Sequence, residues 1–159
     1  MSSTLTLPVP PTRRPSLASQ ADSLAEAREL LRRAARLPYH ATRADAWARR
    51  FRRLTSDATA AIGQHVLRLQ RSEATGMAAD GTPPHLLPAL HRQAEEAENL
   101  IRAGFDLVHE AEAVHRPDIW NMVELGEQAM RLSIAVERHH NRLLDMAFEA
   151  GHRDIGGGG

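Results

Sequence analysis

Four stretches of this chain carry apolar residues at helical spacing, and proline or glycine separates each from the next. Ser23 and Glu26 form a capping-box pattern, so a first helix is expected from about Asp22 or Ser23, with Leu24, Ala27, Leu31 and Ala34 as its stripe. Pro38 stops it. Thr42 is the expected cap of a second helix running to about Glu73. Its inward stripe reads Trp47, Phe51, Leu54, Ala58, Ile62, His65 and Leu69. The loop "EATGMAADGTPP" follows. Thr82 and Pro83 then suit the start of a third helix with Leu87, Leu90, Ala94, Ala97, Ile101, Phe105 and Val108 inward. "HRPD" breaks that helix at Pro117. The fourth is expected to reach about Ala150, with Val123, Glu127, Met130, Ile134, Glu137, Asn141, Leu144 and Phe148 near its inner stripe. Gly151 would be its stop.

Four amphipathic segments on short connections predict an all-α, up-down-up-down four-helix bundle. One domain is expected over residues 20–155, with a disordered tail at 1–19 and a flexible glycine tail at 156–159. The composition agrees. Aromatics make up only 4% of the 159 residues, and alanine is prominent, which favours helices over strands.

Composition also removes whole classes of chemistry. With no cysteine there is no disulfide, zinc–thiolate site, iron–sulfur cluster or thiol nucleophile. All 20 positive charges are arginine, so Schiff-base chemistry and a Walker-type phosphate loop are absent too. No stretch approaches the roughly 20 apolar residues of a membrane span. The arginines of "MSSTLTLPVPPTRRPS" follow its weakly apolar part, the wrong order for a signal peptide, so a cytoplasmic protein is expected. No glycine-rich elbow or oriented triad accompanies a serine such as Ser133, so an enzyme is not expected.

Charge is balanced overall but split along the chain. Residues 1–71 hold 13 arginines against 5 acids, and residues 72–159 hold 7 against 15. A basic half raises nucleic acid as a partner. The arginines alternate with core positions and lack interleaved aromatics. The expectation is therefore that the two halves face each other's charges, with nucleic-acid binding disfavoured.

Nine histidines are present. His40, His85, His115 and His152 fall at helix ends or loops, where a surface position is expected. Glu112–His115 and Glu137–His140 share an E-x-x-H spacing. Reflection through the turn at 116–117 places the two motifs about 22 residues, roughly 33 Å, apart, so they serve no common metal pair. The same arithmetic places His65, His91, Glu95, Glu137, His140 and Asp145 at one level of the bundle. Imidazoles and carboxylates without thiolate suit iron, manganese or zinc. A hydrogen-bonded polar layer is the plain alternative. His139 points about 100° from His140 and is expected to face solvent.

The stretches "RRLTSDATAAIGQHVLRLQRSE", "PPHLLPALHRQAEEAENLI" and "HHNRLLDMAFEAGHRDIGGGG" resemble the bacterial hemerythrin-like (HHE cation-binding) domain family over residues 43–159. The resemblance implies a bundle holding two non-haem irons that bind or sense oxygen or a related small ligand. His65 matches the family's second-helix histidine, but Leu69 stands where its glutamate belongs. His91 matches the first of the third-helix pair, with Glu95 replacing the second; a shifted register would bring Ala97 to a ligand position. His140 and Asp145 match the fourth-helix H-x4-D, and the first helix supplies no ligand. The incomplete set leaves three alternatives: a reduced iron site, a different metal, or a metal-free bundle acting as an interaction or regulatory module with an unidentified protein partner.

Overall fold

A computed structural model describes residues 17–74 and 84–155. Helix α1 spans Leu17–Ala35, α2 Ala44–Ala74, α3 Leu87–Ala113 and α4 Ile119–Ile155. Short 3-10 turns at Ala41–Arg43 and Pro84–Leu86 precede α2 and α3. The helices form an antiparallel four-helix bundle, with α1 beside α2 and α4, and α3 beside the same two. Hence α2 and α4 face each other across the bundle's diagonal. No described helix is long and apolar enough to cross a membrane.

The core follows from the stripes. Leu24, Ala27, Leu31 and Ala34 of α1 are buried. Ala21 is buried too, and it carries the stripe one turn further back. That packing places Ser23 inside the helix rather than at its start, and residues 17–19 belong to α1 rather than to a tail. The rest of the expected N-terminal tail, the glycine tail, and the Thr82–Pro83 start lie outside the described residues. All seven expected inward residues of α2 are buried, His65 among them. Trp47 and Phe51 stack with ring centroids 4.8 Å apart. Thr42 lies in the 3-10 turn before α2 and does not cap it.

In α3 the buried face runs Leu90, Ala94, Ala97, Leu100, Gly104, Leu107, Ala111. The expected Phe105 lies off it and is 62% exposed. Successive steps of four residues each advance 40° past a full turn, so the expected stripe drifts out of the core.

In α4 the core residues are Met122, Leu125, Ala129, Leu132, Ser133, Val136, His139, Leu143 and Met146. The expected stripe sits about one residue later, on a face turned by about 100°. Glu127, Ile134, Asn141, Leu144 and Phe148 are accordingly exposed. The helix also passes Gly151 and ends at Ile155. Phe148 and His152, one turn apart across Gly151, pack with ring centroids 4.0 Å apart and support that last stretch.

Candidate functional site

The one-residue turn of α4 decides which histidine enters the core. His139, not His140, points inward and is 1% exposed, so the expected solvent-facing position is corrected. Across the diagonal, the fully buried His65 of α2 brings its Nε2 to 3.1 Å from Nε2 of His139. The rings meet edge to face. From α3, Glu96 places Oε2 3.4 Å from His139 Nδ1. Arg142, one turn beyond His139 on α4, forms an ion pair with the other oxygen of Glu96.

These contacts order the protons. The carboxylate of Glu96 accepts from Nδ1–H of His139. A neutral His139 then has an unprotonated Nε2, which accepts from Nε2–H of His65. Burial holds the His139 imidazolium unfavourable and lowers its pKa from the usual 6.5, outweighing the hydrogen bond and charge of Glu96, which push it up. Arg142 and His140 add to the lowering. The result is a relay from Arg142 through Glu96 and His139 to His65. It spans three helices.

The six residues expected at one level are not brought together. His65 is in the relay. His91 and Glu95 lie on the exposed face of α3 and pair with each other at 3.5 Å. Asp145 is exposed. Glu137 is half-buried and turned toward α1, where Arg32 approaches to 3.0 Å and Arg28 to 3.3 Å. His140 is half-buried, and its Nδ1 has no hydrogen-bond partner among the described residues.

The helix register explains the difference. Gly104 lies against Thr59, Gly63 against Ile101, and Gln70 bonds to Glu98 at 3.3 Å. His65 is therefore level with the middle of α3, near Glu96, and His91 sits more than a turn beyond. Among the described residues no three histidine, aspartate or glutamate side chains converge as a metal-binding group.

A di-iron centre does not fit this set. It needs bridging carboxylates, whereas only two imidazole nitrogens face each other here. Glu96 engages the far nitrogen of His139. Glu137 is neutralised by arginine. The residues that sequence reasoning missed are His139, Glu96 and Arg142. The signal for His139 was present in the run Ala129, Leu132, Val136, Leu143, which has it as the intervening core position.

A second feature lies on the surface. Between α2 and α3 runs a groove of about 640 Å³, lined by uncharged residues including Ala60, Gly63, Leu67, Ile101 and Phe105. Leu67 is 53% exposed beside it.

No family model matches the chain, and neither curated proteins nor solved structures give a match.

Proposed function

We propose that this chain is a metal-independent helical interaction module whose docking face is the α2–α3 groove. One observation carries the reading: Leu67 and Phe105 stand exposed over an uncharged groove in a chain that is one-quarter charged residues. The partner that best fits this face is a second copy of the chain. The same patch holds both a knob, Phe105, and a dent, where Ala60 and Gly63 leave α2 thinly covered. A two-fold axis seats each knob in the other copy's dent, which is how isologous interfaces form.

Light scattering across protein concentration tests it. A dimer is expected, with Phe105→Glu or Leu67→Glu driving it to monomer while helical content and melting temperature hold. A monomer at all concentrations up to about 100 µM, a range covering ordinary dimer affinities, would remove the reading.

A second reading keeps the hemerythrin-like resemblance in reduced form. It rests on the opposed Nε2 atoms of His65 and His139 and on Glu96 at the far nitrogen, the arrangement that orients a metal-bound histidine. On this reading Nε2 of His65 and Nε2 of His139 would hold a single ion in place of their hydrogen bond. Elemental analysis of untagged protein from iron-replete cells separates the readings: near-stoichiometric metal lost in His65→Ala favours the second, and its absence the first.

A further inference from the structure

Some of the described arginines have carboxylate partners. Arg28 and Arg32 hold Glu137, Arg142 holds Glu96, and Arg102 and Arg131 pair with glutamates one turn earlier on their own helices. Among the arginines without one, four gather in one place. Arg33 of α1 and Arg49, Arg50 and Arg53 of α2 line a cleft of about 580 Å³ between the two helices. They are exposed, and none forms an ion pair or side-chain hydrogen bond among the described residues. Asp57 is the cleft's sole carboxylate, and Leu30 and Leu54 supply its apolar surface.

The four cations crowd one another, offset in part by Glu29, Asp45 and Asp57, each one helical turn from an arginine of the cleft on its own helix. Arg49 and Arg53 are one helical turn apart and Arg50 and Arg53 three residues apart, so like charges repel along α2. Arg33 faces them from α1. The arrangement also departs from the expected pairing of the basic half with the acidic half, which Arg28 and Arg32 do achieve. Residues 1–16 hold no acidic side chain to neutralise the cleft.

We propose that the α1–α2 cleft binds a phosphorylated small molecule of the nucleoside di- or triphosphate class. Guanidinium groups present fixed forks of donors that match phosphate oxygens two at a time. Two or more phosphates satisfy four arginines, where one does not. Asp57 is the acceptor for a hydroxyl or amino group at the ligand's other end, and it disfavours a bare polyanion. The cleft's size lies within the roughly 300–1,000 Å³ usual for small-molecule sites. An extended polynucleotide instead calls for a long basic track with stacking aromatics, and this cleft has none in its lining. The site is separate from the α2–α3 face and stands whether or not the chain dimerises.

Calorimetric titration of the full chain at about 0.1 M salt, where exposed charges more than about 10 Å apart are screened, tests the assignment. The probes are adenosine triphosphate, inorganic tripolyphosphate and a single-stranded 20-mer of thymidine. Adenosine triphosphate is expected to bind most tightly. Arg49→Ala with Arg53→Ala should weaken it at least about tenfold, as should Arg33→Ala on the opposite wall, since each removes a charge-assisted contact. These exposed substitutions relieve repulsion, so the melting temperature without ligand should hold. Absence of binding, binding that survives both sets of changes, or tighter binding of the oligonucleotide would each overturn the proposal. Equal affinity for tripolyphosphate would overturn the donor end assigned to Asp57.

Discussion

His139 ties pH to stability at a single side chain. Its folded pKa lies below 6.5 because burial penalises the imidazolium more than Glu96 favours it. As pH falls through 6.5, the unfolded chain binds a proton at this position and the folded chain does not. Stability is therefore full above that pH and declines as pH drops toward the folded value. The melting temperature should fall between about pH 7.5 and pH 5.5, a window that spans the ordinary histidine range. In His139→Gln the slope should be shallower, at an overall cost of about 1–3 kcal/mol for the partners left at His65 and Glu96. An unchanged slope would show that other groups set it. Gly104 is a second constraint at this scale. A Cβ there would lie 2.8 Å from Thr59 Oγ1, and that hydroxyl is fixed by its bond to the Thr55 carbonyl at 2.8 Å. Gly104→Ala should cost about 1–3 kcal/mol in urea unfolding, and Thr59→Ala in the same chain should recover part of it.

Among the elements, α4 has the clearest start. Asp118 Oδ1 accepts from the Asn121 backbone N–H at 2.8 Å, and Asn121 Oδ1 accepts from the Asp118 N–H at 3.1 Å. This reciprocal cap satisfies two donors that the helix leaves unpaired. Asp118→Ala should cost about 1 kcal/mol in chemical denaturation, and Asp118→Ser much less. Such local chemistry also shows what the sequence makes legible. The four helices and the break at Pro117 could be read because proline and apolar spacing act within a few residues. The full α2 stripe was readable for the same reason. The site was less so. A buried face is only about 100° per residue from its neighbour, and α4 carries apolar residues such as Ile134, Leu144 and Phe148 off the core face. They drew the expected stripe round by one position, exchanging His140 for His139. The level of His65 on α3 depended on the α2–α3 connection, whose span no local rule sets. Glu96, with Glu95 and Glu98 within two residues of it, is set apart only by the fold.

For the whole molecule, the contest is between a bundle closed by its own side chains and one closed by metal. Here the core is apolar through most of its length, and its central polar residues bond to each other: His65 to His139, His139 to Glu96, Glu96 to Arg142. Nothing in that chain needs a cation to balance it, because Arg142 already offsets Glu96. A metal would have to displace the His65–His139 bond and recover its energy from two imidazoles. Ligand binding to the folded state alone adds about 2.7 kcal/mol at a hundredfold excess over Kd. In a chain of this size that would raise the melting temperature by roughly 5–10 °C. The expected result is a change of under about 1 °C on adding zinc or, anaerobically, ferrous iron, and the same on chelation, within what a few tenths of a kcal/mol produce. Scanning fluorimetry of untagged protein reads both. A rise of several degrees that disappears in His65→Ala would place an ion between the two histidines, and the bundle's polar centre would then be a binding site rather than a bolt.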